Sequence, residues 1–427
     1  MRIMHLGINY WPEETGIAPF ATGRCEYFAS CGHGVVACCG VPYYPEWRVP
    51  DGYRRTLFKR EQRAGVTLLR SRMYVPRKIT SLRRVLHEGS FVSASFLYAL
   101  SGHRPDLLLV TSPPLGLAAS AMALSRLWRV PYVFHVADLQ PDAAVDLGML
   151  RHGRFVRALY GLEEAAYHNA ALVSTLTEGM RRRIVAKGVP PQKVVIFSDW
   201  VEPSLLNIPP PRPPRSNDSG DDFVVAHFGN MGFKQGLDVV IDAAKLCVSE
   251  RRLNYLLVGD GAARPALEAR VTTLGLSNLR FLPLQPHEHF LELLARADVC
   301  LVTQQRSVAD IVFPSKVITL LASARPVIAS VGADSEVARV IFESGAGIVV
   351  APEDPCALAE AVVRIRDDPS LRVRMGHAGR VYALERWERG TVLKSTERSL
   401  VEVLKGENTW HSAPAGVDLN TAKRSDP

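Results

Sequence analysis

The chain of 427 residues lacks any run of 18 uninterrupted apolar residues, so no transmembrane helix is predicted. Its first residues, Met1 to Tyr10, hold no long apolar stretch and no small-residue cleavage site. That argues against a secretory leader and for a cytoplasmic location. The seven cysteines (Cys25, Cys31, Cys38, Cys39, Cys247, Cys300, Cys356) form no CxxC pair and no Cys/His ligand spacing. They are expected to be reduced thiols acting as small core residues, not a disulfide framework or a metal site. No GxGxxG with a following acidic residue occurs after any apolar run, which disfavours an NAD-dependent enzyme. Charge is only mildly one-sided, at +8 from 51 basic against 43 acidic residues. Without zinc-finger spacing or an aromatic RNA-binding pattern, nucleic acid is not an expected partner.

What the chain does have is short apolar runs alternating with helical-length segments. Candidate strands are Ile3–Ile8, Gly34–Cys39, Thr67–Arg70, Leu107–Thr111, Tyr132–His135, Leu172–Thr175 and Val194–Phe197. A second series comprises Phe223–Phe228, Tyr255–Gly259, Leu279–Phe281, Val299–Val302, Val327–Ala329 and Gly347–Val350. Apolar runs separated by helices predict parallel sheets built from βαβ units. The length suits two α/β domains. The expected layout is an N-terminal Rossmann-like domain over 1–208, a proline-rich linker over 209–222 and a second domain over 223–385. A C-terminal helix over 386–407 is expected to pack back on the first domain, followed by a disordered tail over 408–427.

Several loops at strand ends carry chemistry. After the first strand comes Asn9-Tyr10-Trp11-Pro12-Glu13-Glu14-Thr15-Gly16, where Gly16 permits close backbone approach to a ligand. His135 and Asp138 lie three apart at the C-terminal end of a strand, where open α/β sheets bind ligands. A histidine there can donate to a sugar hydroxyl or phosphate, and an aspartate can accept from hydroxyls or act as a base. In the second half, Gly229-Asn230-Met231-Gly232-Phe233-Lys234 forms a glycine-bearing turn resembling a phosphate cradle, and Gly259-Asp260-Gly261 a second tight turn. Phe313-Pro314-Ser315-Lys316 opens a helix with an ammonium at its start, a combination suited to a diphosphate.

Taken together, these elements resemble the glycosyltransferases of family 4, specifically the branch acting in colanic acid and related exopolysaccharide synthesis. The likeness spans roughly residues 1 to 400 and also includes Leu176 to Met180 and Asp199-Trp200-Val201. It implies a GT-B fold, two Rossmann-like domains with parallel sheets facing each other across a cleft. It also implies a nucleotide-sugar donor in the second domain, an acceptor mainly on the first, and no metal or other cofactor; the chain has no DxD motif. Expected donor contacts are Gly16, Gly229, Asn230, Gly232, Lys234, Gly259, Gly261, Ser315, Lys316 and Thr319, with His135 and Asp138 as catalytic candidates. The chain departs from the family pattern in carrying Asn230 and Gln235 where many members have Arg and Lys. Ile311 and Thr319 stand where a pair of glutamates usually falls.

One further feature bears on partners. Eleven basic residues between Arg54 and Arg84 alternate with Tyr53, Leu57, Phe58, Tyr74, Leu82 and other apolar residues. Such a surface suits anionic lipid headgroups, and the apolar segment Phe91–Leu100 could lie in the interface. The expected function is transfer of a sugar, from GDP-fucose or a UDP-sugar, to a lipid-linked oligosaccharide at the inner membrane face. A GT-B nucleotide-sugar epimerase and an inactive nucleotide-sugar-binding protein are the alternatives.

Overall fold

The computed structural model describes residues 1–78, 80–146, 153–211, 222–250, 252–306 and 316–406. The chain packs as two compact units, one formed by the described residues of Met1–Ser198 and Thr391–Pro427, the other by those of Asp199–Gly390.

The first unit holds an 8-stranded sheet in the order β3-β4-β2-β1-β5-β6-β7-β8. Its strands are β1 Arg2–Leu6, β2 Gly34–Gly40, β3 Phe58–Arg63, β4 Val66–Ser71, β5 Leu107–Ser112, β6 Tyr132–Val136, β7 Leu172–Thr175 and β8 Val194–Ile196. All pairings are parallel except β3 with β4, an antiparallel hairpin at the edge. The helices are α1 Ala18–Ser30, α2 Ser81–Leu100, α3 Leu117–Trp128, α4 Gln140–Asp146, α5 Arg154–Asn169 and α6 Glu178–Ala186. One face of the sheet buries Ile3, Ala37, Leu107, Leu109 and Val133 against Ala21, Cys25 and Phe28 of α1, and against Leu400 and Val403 near the C-terminal end of the described chain. The Glu397 carboxylate reaches the Tyr27 hydroxyl and the His33 ring, fixing that last segment to the end of α1.

The second unit holds a 6-stranded sheet in the order β11-β10-β9-β12-β13-β14. Its strands are β9 Phe223–Phe228, β10 Leu253–Val258, β11 Leu279–Leu282, β12 Val299–Thr303, β13 Val327–Ser330 and β14 Gly347–Val350, all parallel. Its helices are α7 Asp238–Leu246, α8 Arg264–Leu274, α9 His287–Arg296, α10 Lys316–Ala322, α11 Glu336–Ser344, α12 Pro355–Asp367 and α13 Pro369–Trp387, followed by α14 Arg389–Lys405. Strand alternation divides the core in two. Ala226, Phe228, Cys300, Val302 and Ala329 face α9, α10, α11 and α13. Val225, Tyr255, Leu257, Leu301 and Ile328 face α7, α8 and α12. This is a doubly wound arrangement, with its reversal of strand order between β9 and β12.

The division at Ser198 and Asp199 places the start of the proline-rich stretch in the second unit. There the Pro209 carbonyl accepts from Arg325 and the Ile208 carbonyl from Arg380.

Candidate functional site

In the second unit, β9 and β10 run side by side, so the loops that leave their C-terminal ends meet. Gly229 N–H donates to the Val258 carbonyl at 2.8 Å, Met231 N–H to the Asp260 carbonyl at 2.8 Å, and Ala263 N–H to the Met231 carbonyl at 2.9 Å. The contact is too close for side chains. A Cβ on Gly259 would lie 1.9 Å from the Gly229 oxygen, and one on Gly261 2.5 Å from the Met231 carbonyl carbon. Both glycines also hold φ values, +146° and +158°, that other residues rarely adopt. Arg264 locks the pair by donating to the Gly259 carbonyl at 2.7 Å. Gly232 begins a short helical turn, Phe233–Gln235, which carries Lys234.

The loop after β12 joins the same place. Gln305 N–H donates to the Lys234 carbonyl at 2.9 Å, tying the turn across the point where strand order reverses. There lies Lys316, the first described residue of α10, half-buried. Burial first, then repulsion from Lys234, lowers its ammonium pKa to about 8, with the Cys300 thiol opposing weakly. The same cation, after burial, holds His227 on β9 far below the usual imidazole range. Lys316 has no carboxylate partner among the described residues. Thr319, one turn along α10, is half-buried beside it in sequence register, and Asn230 is exposed at the turn. The structure therefore gathers Gly229, Asn230, Gly232, Gly259 and Gly261 in one double loop, with Lys234 and Lys316 coupled electrostatically. Ser315 and residues 307–314 lie outside the described residues.

The first unit carries the other expected residues. The loop after β1 is held from inside by Glu13, which is buried. Its carboxylate accepts from Tyr43 N–H and Tyr44 N–H at 2.8 Å each and from Asn9 Nδ2 at 2.8 Å. Burial raises its pKa, and these hydrogen bonds work against the rise. The Trp11 carbonyl accepts from Arg70, and Trp11 N–H donates to Thr22 Oγ1 at 2.9 Å. Gly16 closes the loop at φ +67°, exposed.

His135 differs from its expected placement. Strand β6 continues to Val136, which puts His135 inside the sheet, 2% exposed, with Nδ1 3.0 Å from Ser174 Oγ. Burial, followed by the nearby Arg24 cation and His5, depresses its pKa well below the imidazole range. A ring so enclosed is held as a neutral core group and does not present itself to sugar hydroxyls. Asp138, two residues beyond the strand, is half-buried in the loop before α4.

The basic cluster also resolves into two kinds of residue. Arg70 is fully buried, paired with Glu61, with its remaining N–H groups on the Gly40 and Trp11 carbonyls. It is a structural cation and no part of a surface. Arg54, Lys59, Arg63 and Arg84 pair with Asp51, Glu61, Glu26 and Glu88. Arg55, Arg60, Arg72, Arg77, Lys78 and Arg83 have no ion pair among the described residues. Glu13, Arg70, Arg264 and His227 were not singled out from the sequence. Only His227, an imidazole in an otherwise apolar strand, carried a local signal.

Residues 15–200 match the Glycosyl transferase 4-like domain, and residues 222–368 match Glycosyl transferases group 1. Over 383 residues the chain is 32% identical to a protein of Escherichia coli (strain K12) named as a colanic acid biosynthesis glycosyl transferase, WcaI, spanning 85% of this chain and 91% of that one. The chain belongs to glycosyltransferase family 4. It is also 29% identical over 270 residues to a glycosyltransferase named WbjE of Pseudomonas aeruginosa, covering 62% of this chain and 65% of the relative. Among solved structures, sucrose-phosphate synthase of Thermosynechococcus elongatus superposes with a TM-score of 0.73 at 17% identity, over 95% of this chain and 99% of that one. Anabaena Alr3699/HepE in complex with UDP-glucose gives 0.66 at 18% identity, over 94% and 100%. At such identities these two establish the GT-B fold of the family member and nothing finer.

Proposed function

We propose that this family 4 enzyme moves a sugar from a nucleotide diphosphate donor, GDP-fucose or a UDP-sugar, to a lipid-linked oligosaccharide in colanic-acid-like polysaccharide synthesis. The observation that carries the reading is the pair of lysines at the strand-order reversal of the second sheet, with no carboxylate paired to Lys316 among the described residues. Two cations held near each other, one of them destabilised by burial, form a receptor for a group of two or more negative charges. A nucleotide diphosphate fits that demand. The close contact between the two loops, possible because Gly259 and Gly261 carry no side chain, keeps side-chain bulk low near the ligand. The UDP and UDP-glucose bound by Anabaena HepE, and the colanic acid role in the WcaI name, favour the same donor and pathway class.

In the reaction the bond from the anomeric carbon to the β-phosphate oxygen breaks as a bond forms from that carbon to an acceptor hydroxyl oxygen, whose proton passes to a base or to the leaving phosphate, and negative charge grows on the departing diphosphate. Lys316 and Lys234 stabilise that charge, a role for which no metal is required. Asp138 meets hydroxyls of the transferred sugar or acceptor, while His135 supports the strand end from within. Gly16 and the loop braced by Glu13 form the acceptor-side wall. The unpaired basic residues between Arg55 and Arg83 hold the enzyme at an anionic membrane, peripherally.

Thermal-shift titration with GDP, UDP, TDP and CMP tests the donor class. One nucleotide should stabilise the protein as RT ln(1 + [L]/Kd), and the stabilisation should vanish in Lys316→Ala. No response to any of the four would remove the nucleotide reading.

A further inference from the structure

A groove of about 650 Å³ opens on the first unit between the segment leading to β3, the stretch after β4, and α2. Val41, Leu57, Met73 and Val75 give it apolar walls, and Arg54 and Arg72 provide the charge. Among the described residues no acidic side chain lines it. Arg54 is engaged with exposed Asp51 at 2.7 Å. Arg72 is exposed, and its guanidinium has no side-chain partner among the described residues. Ser90 of α2 closes one side, and its hydroxyl takes the Tyr74 N–H at 2.9 Å, which fixes the helix to the groove wall. The outer face of that helix is unusual for a protein surface. Leu82, Leu86, Leu97 and Leu100 are 71%, 54%, 61% and 40% exposed. At helical spacing they fall on one side of the helix as two apolar pairs, Leu82 with Leu86 and Leu97 with Leu100, separated by Gly89, Ser90 and Ser93, opposite the buried His87, Phe91, Ser95 and Ala99.

We propose that this groove binds a lipid phosphate: one aliphatic chain against the apolar walls, with its phosphate ester on Arg72 and Arg54. Such an amphiphile is the anchor of the acceptor, so the assignment rests on the lipid-linked acceptor reading above. Three features select it. The walls are apolar and the charge is positive, which matches an anionic amphiphile and not a free sugar. The volume lies within the range of roughly 300–1,000 Å³ typical of sites for a single small ligand, and suits one chain better than a two-chain phospholipid. Finally, the side of α2 that carries these apolar pairs adjoins the groove through Ser90, so a helix lying in the membrane interface would bring the groove to the lipid.

The test is calorimetric binding of farnesyl monophosphate below its aggregation concentration, with inorganic phosphate, farnesol and dispersed phosphatidylglycerol as comparison ligands. One equivalent of farnesyl monophosphate should bind at least tenfold more tightly than any of the three. Arg72→Gln should weaken it about tenfold, as loss of a charge-assisted contact implies. Leu57→Asp, at a residue already exposed, should weaken it similarly, and Arg157→Gln, on α5 and outside the groove, should leave it unchanged. Equal affinity for inorganic phosphate, equal affinity for phosphatidylglycerol, or indifference to both Arg72→Gln and Leu57→Asp would overturn the assignment. Nucleotide binding is measured in parallel on the same proteins. Its persistence when farnesyl monophosphate fails overturns the groove alone, whereas its absence removes the donor reading independently.

Discussion

Replacing Lys316 by methionine should make the free protein more stable and the nucleotide complex weaker. The ammonium falls from 10.5 to about 8 in the folded chain, through burial and the neighbouring Lys234. At about 1.4 kcal/mol per pKa unit, that is roughly 3 kcal/mol against the charged form. Methionine has similar length and no charge, so some of this is recovered, about 1–3 kcal/mol after imperfect repacking. A rise of about 2–12 °C in the melting of the second unit follows for a unit of this size. The pH dependence separates this cause from better packing. Because the folded pKa is depressed, the penalty is fully present below pH 8, and the unfolded chain binds the extra proton between about 8 and 10.5. Stability of the parent therefore rises across that window, relative to Lys316→Met. Nucleotide binding should change in the opposite sense, weakening about ten- to a hundredfold with the loss of charged hydrogen bonds. In the parent it should also fall as pH climbs through about 8, since a bound dianion needs the lysine protonated. Calorimetry and nucleotide titration at pH 7 and 9.5 would measure both. A variant that melts lower, with unchanged nucleotide affinity, would refute the assignment of this lysine to an anion site.

Other consequences follow from the same coordinates. Gly259→Ala should cost more than about 4 kcal/mol or displace the double loop, since its Cβ would sit 1.9 Å from the Gly229 oxygen; melting and nucleotide affinity like the parent's would contradict the close contact. Arg70→Met should destabilise the first unit by about 3–5 kcal/mol, because Glu61 and two carbonyls lose a buried partner, while Arg77→Gln should stay within about 0.5 kcal/mol by denaturant titration. Co-sedimentation with anionic vesicles should weaken with salt, drop when Arg77, Lys78 and Arg83 become Gln, and lose its salt-resistant part when Leu82, Leu86 and Leu97 become Ser. Equal binding to zwitterionic vesicles would assign the cluster to solvent alone.

Most apolar strands were legible because they are buried on both faces and bounded by turn residues; β8, β11 and β14, only partly buried, still read as short apolar runs. Strand β3 was not, since Phe-Lys-Arg-Glu-Gln-Arg offers no apolar face: it lies at the sheet edge, alternating exposed and half-buried. Missing β3 hid Glu61 as the partner of Arg70, so a buried cation read as one more member of a surface cluster. The His135 reading turned on one residue. Continuation of β6 through Val136 turns a loop side chain into a core one, a difference that local sequence does not encode because Ser174 and Arg24 enclose it from elsewhere in the chain. The glycine turns were found individually. That Gly229 and Gly259 touch depends on β9 and β10 being neighbours, a property of sheet order and not of either turn.

Arg70 is a buried cation and Lys316 a half-buried one, and their surroundings differ in a way that separates structure from function. Arg70 has a carboxylate on Nε and carbonyls on its other nitrogens, so its charge is answered within the fold. Its removal leaves two backbone oxygens wanting and Glu61 with Lys59 as its one cation among the described residues, and the expected loss is in stability. Lys316 has no carboxylate partner among the described residues, and the charge that acts on it is another lysine, which deepens the penalty. Its removal leaves no described group without a partner, and the expected loss is in binding. A fold that keeps a cation against its own stability, at the strand-order reversal of a parallel sheet, has left the counter-charge to come from outside. Lys234→Gln distinguishes this from accidental burial. It should raise the Lys316 pKa, stabilise the free protein at pH 7 and still weaken nucleotide binding, because the same repulsion that strains the empty site is what two phosphate groups relieve.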